Sequence, residues 1–281
     1  MGTYLLHHLQ RGLSCTDVLN QEDPEAVIQA HLAFLDAGAR TLTTNTFCCD
    51  PLSLKDTEFS IKTLSRQGAL LAQKARQIWL QNAPQDTLPV EIWGSLGPGW
   101  LSPEKGEITP QALETQYARR AEGLLQGNVD GFVMETIQDL QQAEAAYRGV
   151  QRALAGQGGY SILMLVSLSG QQRGQPGAYV GQHTTTQALQ RLQELSPQGL
   201  GINCGEGPLG LEKALTALNT YRGAVVLKPN AGPPGKVLSP EDFAAALQAY
   251  RQCGFSFTHW GGCCGATPAH IAALSQQGLE I

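Results

Sequence analysis

Three cysteines carry the clearest chemistry in the chain: Cys204, Cys263 and the adjacent Cys264. Neighbouring cysteines rarely bond to each other, because the disulfide is strained, but both sulfurs can reach one metal where the backbone turns sharply. Gly261, Gly262 and Gly265 flank the pair and permit that turn. Three thiolates select a soft or borderline ion such as Zn2+, and three protein ligands leave a fourth position open, as in a catalytic site. Ligand type also narrows the reaction. Histidine or carboxylate ligands leave zinc enough positive charge to acidify water, whereas three thiolates bring the site to a net charge of about −1 before substrate arrives. Such a site suits a substrate thiol held as a nucleophilic thiolate. Full deprotonation gains at most roughly tens-fold over a free thiol, so alignment with the electrophile must supply most of the acceleration.

Other polar residues gather where apolar runs end: Thr43-Thr44-Asn45-Thr46, Glu135-Thr136, Asn203-Cys204 and Lys228-Pro229-Asn230. Glu135 is the expected catalytic-site carboxylate, placed to bind the ammonium of an amino-acid substrate; the alternative is a solvated residue before a helix start. Thr44 and Thr46 are expected to offer contacts to the substrate carboxylate, and Asn203 to contact substrate beside Cys204, although Thr is also an ordinary strand residue. Cys15, Cys48, Cys49 and Cys253 read as small core hydrophobes. Gly205-Glu206-Gly207-Pro208-Leu209-Gly210 matches a dinucleotide-binding fingerprint, but the next strand ends in Lys228-Pro229-Asn230 with no acidic residue for a ribose. Those glycines serve the turn after Cys204.

The elements that must position these residues alternate along the chain. Strand-like runs cover Arg40 to Thr46, Val90 to Leu96, Asp130 to Glu135, Ser161 to Leu168, Gly199 to Cys204, Gly223 to Lys228 and Phe255 to Trp260. Helical spacing covers Pro24 to Gly38, Glu58 to Asn82, Pro110 to Gly127, Asp139 to Ala155, Thr185 to Leu195, Pro208 to Tyr221, Pro240 to Cys253 and Pro268 to Gln277. Ser239-Pro240 and Thr267-Pro268 are helix starts. Alternation of strand and helix, with strands apolar on both faces, implies a parallel sheet covered by helices. A doubly wound sheet and a closed barrel both fit. An α/β (β/α)8 TIM barrel lacking its first strand is favoured, because all eight helices are present and only that strand is absent. No linker divides residues 1–281, which are assigned to one domain, and the Gly- and Gln-rich loop Gln171 to His183 is the expected mobile lid.

Composition excludes several classes. The chain has 281 residues, 42% hydrophobic and 15% charged, with 19 basic and 24 acidic residues and a net charge of −5. No Lys/Arg run offers a nucleic-acid or anionic-membrane surface. The start lacks a signal-peptide pattern, and the longest apolar stretch, near Tyr160 to Leu168, is too short to span a bilayer. A cytoplasmic location is expected, where seven cysteines without regular framework point to metal or catalysis rather than disulfides.

On these motifs the sequence resembles the homocysteine S-methyltransferases, including the homocysteine-binding module of cobalamin-dependent methionine synthase. The resemblance runs nearly end to end through Met1-Gly2-Thr3, Ala37-Gly38-Ala39, Thr44-Asn45-Thr46-Phe47, Gly94-Ser95-Leu96-Gly97-Pro98, Glu135-Thr136-Ile137, Gly201-Ile202-Asn203-Cys204 and Gly261-Gly262-Cys263-Cys264-Gly265. The last two look like that family's complete zinc-ligand set. Lys228-Pro229-Asn230-Ala231-Gly232 and Asp17-Val18-Leu19-Asn20 are more similar to the methionine-synthase branch than to the plant-type branch. The resemblance implies a (β/α)8 barrel whose zinc binds the sulfur of L-homocysteine while Glu135 and the Thr44 region hold its amino-acid end, giving methionine. The methyl donor it implies is S-adenosylmethionine, S-methylmethionine, betaine or a methylcobalamin protein. In that family an Asp-Gly-Gly or Asp-Gly-Ala stretch ending the first strand precedes the Met-Gly-Thr. The expectation here is either a start recorded too late or a form without that strand and part of its pocket. A metal-binding barrel without turnover is the second reading, and zinc-assisted hydrolysis a third, opposed by the lack of histidine ligands.

Overall fold

Successive side chains on a strand face opposite ways, and along this chain the two sets sort into two cores. The computed structural model describes residues 1–9, 15–83, 89–168, 179–233 and 235–278. In chain order the elements begin with α1 (Gly2–Leu9), a 3-10 turn (Thr16–Val18), α2 (Leu19–Glu22), α3 (Pro24–Asp36), β1 (Thr41–Thr43), α4 (Ile61–Leu80) and β2 (Glu91–Leu96). A second 3-10 turn (Pro103–Lys105) leads into α5 (Pro110–Gln126), β3 (Gly131–Ile137), α6 (Leu140–Leu154), β4 (Ser161–Val166), and the short strands β5 (Tyr179–Val180) and β6 (His183–Thr184). The chain continues through α7 (Thr185–Gln193), β7 (Gly199–Cys204), α8 (Glu212–Leu218), β8 (Ala224–Pro229), α9 (Pro240–Gln252), β9 (His259–Trp260) and α10 (Pro268–Gln276).

Among the described residues seven strands form one parallel sheet in the order β1-β2-β3-β4-β7-β8-β9, while β5 and β6 make a separate antiparallel pair. The sheet curls, so one face becomes an interior and the other is clad by helices. Ile92, Phe132, Met134, Ile162, Met164, Leu200, Ile202 and Leu227 face the helices in the main core. Trp93, Val133, Leu163, Leu165 and Val226 form a smaller core inside the curl. Among the described residues β1 pairs only with β2 and β9 only with β8, so the ring is open between them. α3 packs against α10 across that side, and α3 also meets α1 there.

The open side explains the largest differences from expectation. The outer strands were expected over Arg40 to Thr46 and Phe255 to Trp260, and shrink to Thr41–Thr43 and His259–Trp260. Each has a ladder on one edge only, so fewer residues are held extended. By contrast β3 runs past Glu135 to Ile137, through a shift in its pairing with β4. The helix expected over Pro208 to Tyr221 begins only at Glu212, because the chain before it turns through Gly207 and Gly210 at φ 110° and 76°. α1, α2 and the β5–β6 hairpin were not anticipated. Ser239 does cap α9, accepting the Asp242 amide at 3.1 Å, and at α10 the Thr267 amide donates to His270 Nδ1 at 3.2 Å. Positions 171–178 of the expected lid lie outside the described residues; the rest of it forms β5 and the turn into β6. No helix among the described residues is long and apolar enough to cross a membrane.

Candidate metal centre and substrate cavity

β7 ends in Asn203-Cys204, and Gly261-Gly262-Cys263-Cys264 follows β9, with β8 between them in the sheet. Parallel pairing puts both ends on one rim, and the Cys204, Cys263 and Cys264 sulfurs lie within 4.8 Å of one another. Local backbone turns aim them. Cys204 and Gly205 are consecutive left-handed residues at φ 61° and 74°, so the chain reverses as soon as the strand ends. For a residue with a side chain that conformation costs on the order of 1–2 kcal/mol. Asn230, just past β8, holds both cysteine turns: its Nδ2 donates to Gly205 O, and its Oδ1 accepts the Cys264 amide at 2.9 Å. The Cys263 amide donates to Pro229 O at 2.8 Å, and the Ala231 amide to Cys264 O at 2.9 Å.

The three thiols share protons unequally. Hydrogen bonds from Cys263 and then Cys264 hold the Cys204 thiol far below its ordinary value. The same contacts to Cys204 push the Cys263 and Cys264 thiols up. One proton therefore leaves readily, while removing the other two would crowd three negative charges into a few ångströms. A divalent cation reverses that cost. The donor set and spacing fit zinc, and Cys264 is exposed while the other two sulfur-bearing residues are half-buried, so an incoming ion has access.

Beside the thiols stands a buried ion pair. The shift in pairing between Met134 and Ile137 marks a bulge. Thr136 within it sits at φ 65°, rare for a β-branched residue, and its amide donates to Asn203 Oδ1 at 2.8 Å. Glu135 lines the cavity and is 7% exposed, so the solvated alternative does not hold. Its Oε1 accepts the Ser95 hydroxyl at 2.6 Å; its Oε2 accepts Lys228 Nζ at 3.1 Å and Asn203 Nδ2 at 3.5 Å. Burial opposes the Lys228 charge, but Glu135 and Cys263 outweigh it and hold the ammonium above its usual value. Asn203, fully buried, also directs Nδ2 toward Thr136 Oγ1 at 3.0 Å and Cys263 Sγ at 3.8 Å, linking the carboxylate to the metal centre.

Thr44 is committed to the scaffold more than its sequence context suggests. Thr46 Oγ1 donates to Ser95 O at 2.7 Å, so in the 2.7 Å contact between the two hydroxyls Thr44 is the donor. Thr44 Oγ1 also accepts the Ser95 amide at 2.9 Å. What remains is a single acceptor position. It suits a substrate ammonium and cannot donate to a carboxylate.

These groups line one cavity of ≈ 350 Å³, which reaches from the three cysteines down to Leu165 and Val226 and out through the open side to His31 and Phe34. Sequence reasoning placed Cys204, Cys263, Cys264, Glu135, Asn203 and Thr44 at the site, and all six lie in or beside this cavity. Lys228 and Asn230 stood among the polar strand ends without a role, and Ser95 and Arg120 had none either. A lysine inside the apolar strand Ala224–Pro229 was the one readable signal, since an unpaired charge is not tolerated there. Arg120, 2% exposed, donates to Gly97 O at 2.9 Å, Thr46 O at 3.1 Å and Phe47 O at 3.0 Å, tying together the loops after β1 and β2.

Comparison with known proteins gives a consistent picture. A family model described as homocysteine S-methyltransferase matches residues 1–277. The chain is 32% identical to a methionine synthase of Mycobacterium leprae over 282 residues, and 32% identical to that of Mycobacterium tuberculosis over 280 residues. Each match takes in 94% of this chain but only 22% of the relative, so the chain spans about a fifth of the length of those proteins. Among solved structures it is similar to the homocysteine methyltransferase MmuM from Escherichia coli. The metallated form superimposes with a TM-score of 0.78 at 22% identity, covering 98% of this chain and 93% of that one. The apo form gives 0.72 at 26% identity, covering 99% and 93%.

Proposed function

The chain belongs to the homocysteine S-methyltransferase family, and on that premise we propose that it methylates the sulfur of L-homocysteine to give methionine, in a zinc-dependent reaction. One observation carries the reading: three cysteine sulfurs within 4.8 Å of one another share a cavity with the Glu135–Lys228 ion pair. The first is a site for a soft cation that takes a thiol. The second offers opposite charges to an amino acid's ammonium and carboxylate.

Cys204, Cys263 and Cys264 would hold the zinc, which supplies a Lewis acid that keeps a thiol deprotonated at neutral pH. The chain's own residues do the rest. Glu135, with the remaining lone pair of Thr44 Oγ1, receives the substrate ammonium, and Lys228 turns to its carboxylate. Asn203 keeps Glu135 and Cys263 at a fixed separation, which sets the distance between the substrate's two ends. Ser95 fixes the Glu135 rotamer through Oε1. In the transfer, the substrate sulfur forms a bond to the methyl carbon, the methyl–donor bond breaks with its electron pair leaving on the donor, and the thiol proton passes to solvent. Holding sulfur and methyl in line supplies most of the rate.

The donor is S-adenosylmethionine, S-methylmethionine, betaine or a methylcobalamin protein, presented at the rim formed by the loops after the strands. The fold that accompanies this function is a (β/α)8 barrel lacking its first strand, whose place is the gap between β9 and β1, acting as one homocysteine-binding domain over residues 1–281 in the cytoplasm.

The test is a methylation assay across those four donors on wild-type and Cys263→Ser protein. With one donor, methionine should form, and in the variant both methionine and about one equivalent of zinc should be lost. Zinc retained with no turnover on any donor would favour the second reading, a metal-binding barrel without catalysis.

A further inference from the structure

A second set of soft donors lies away from the three-cysteine cluster. Cys15 and Asp17 sit at the first 3-10 turn, and Cys48 lies in the loop after β1. Their ligand atoms, two sulfurs and a carboxylate oxygen, are all within 4.8 Å of one another. Two thiolates on one tetrahedral zinc at ~2.3 Å stand roughly 3.8 Å apart, so donors within 4.8 Å of one another can close on a single ion with small side-chain movements. Cys15 and Asp17 are buried, at 4% and 0% exposure.

Asp17 supplies an independent observation. One of its oxygens, Oδ2, accepts the Cys48 amide at 2.7 Å. The other, Oδ1, is buried without a hydrogen bond of ordinary geometry among the described residues, and the Cys49 thiol is the donor that faces the carboxylate. A buried carboxylate oxygen met only by a weak thiol donor is under-satisfied, and a cation satisfies it more fully. Charge supports the same conclusion. The Arg120 guanidinium bonds to Thr46 O and Phe47 O, immediately before Cys48, so two thiolates, the Asp17 and Asp50 carboxylates, a divalent cation and Arg120 sum to only about −1. Access exists as well, since Cys48 and Thr16 line the ≈ 350 Å³ cavity.

We propose that Cys15, Asp17 and Cys48 form a second metal site, with two sulfur ligands and one oxygen ligand, that takes zinc or a similar borderline divalent cation. Binding displaces the two thiol protons to solvent and leaves a fourth position on the cavity side. Its role is to fasten the Thr16–Val18 turn to the loop after β1. Besides the Cys48 amide bond to Asp17, that junction carries hydrogen bonds from Thr16 Oγ1 to Asn45 Oδ1 at 3.2 Å and from Asn45 Nδ2 to Thr16 O at 2.8 Å. Asn45 lies between Thr44 and Thr46, so the metal would brace the substrate-facing end of β1.

The experiment loads metal-free full-length chain with zinc, and separately with cobalt(II), then measures bound metal per folded chain and the thiolate-to-cobalt absorption. Wild-type protein should hold about two equivalents, and Cys263→Ser/Cys264→Ser protein about one, still with a thiolate band. Adding Cys48→Ser, or Asp17→Asn, to that variant should abolish the remaining equivalent, while Cys253→Ser, at an exposed thiol, should leave wild-type loading unchanged. Circular dichroism establishes that each variant counted is folded. Asp17→Asn nearly preserves side-chain volume, which covers the case in which Cys48→Ser fails to fold. The proposal is overturned if wild-type protein holds only one equivalent and Cys263→Ser/Cys264→Ser protein holds none. It is equally overturned if the equivalent left in that variant survives both Cys48→Ser and Asp17→Asn.

Discussion

On the proposed function, Lys228 is the residue that decides how the cavity reads an amino acid. Its side chain is 18% exposed and that of Glu135 is 8%, so their ion pair at 3.1 Å is largely shielded from water. A substrate carrying both charges can insert between them and exchange one pair for two. Replacing Lys228 by Met removes the partner of the substrate carboxylate, a charge-assisted contact of about 1.5–3 kcal/mol. The expected result is a KM for homocysteine raised roughly 10- to 100-fold with a smaller change in kcat, because the contact serves ground and transition states alike. Steady-state kinetics at saturating donor check this, and an unchanged KM would remove Lys228 from the pocket. Glu135 itself was legible in the sequence as a carboxylate at a strand end. Its partner was not, because β3 and β8 meet only across the interior of the curled sheet.

Among the elements, α5 does more than clad the sheet. Tyr117 and Arg120 lie one turn apart on its inner face, and both donate to Gly97 O, at 3.0 and 2.9 Å. Arg120 goes on to the carbonyls of Thr46 and Phe47, so one helix locks the loops after β1 and β2. Arg120→Met leaves these carbonyls without that donor and should cost about 3 kcal/mol or more, at roughly 1 kcal/mol for each bond lost. Urea unfolding checks it, and Arg120→Lys should restore less than half, since an ammonium cannot span the same acceptors. The helical period of α5 was readable to within a residue at each end. Yet nothing local separates buried Arg120 from exposed Arg119 beside it, because the difference depends on which carbonyls the neighbouring loops bring within reach.

Over the whole molecule, the open side of the ring gives His31 an unusual setting. It is fully buried on α3, lines the cavity, and neither ring nitrogen has a hydrogen-bond partner among the described residues. Burial lowers its pKa from 6.5 to about 3. The folded value lies below the unfolded one, so between 6.5 and about 3 the unfolded chain binds the extra proton. The contribution of His31 is therefore complete above pH 6.5 and is lost as pH falls, at about 1.4 kcal/mol per pH unit. Urea unfolding at pH 7 and pH 5 should show wild-type protein losing about 2 kcal/mol more than His31→Leu between the two. Equal losses would mean that the ring is protonated in the fold. The sequence by itself determined the alternation of strands and helices, the family, and the three cysteines with Glu135, Asn203 and Thr44, because periodicity and motif spacing are local properties of a chain. The tertiary structure alone decided that Glu135 pairs with Lys228, that Arg120 and His31 are interior, and that Cys15, Asp17 and Cys48 share one pocket. Each of these depends on the curl and register of a parallel sheet, which bring together residues distant in the chain and which no single segment encodes.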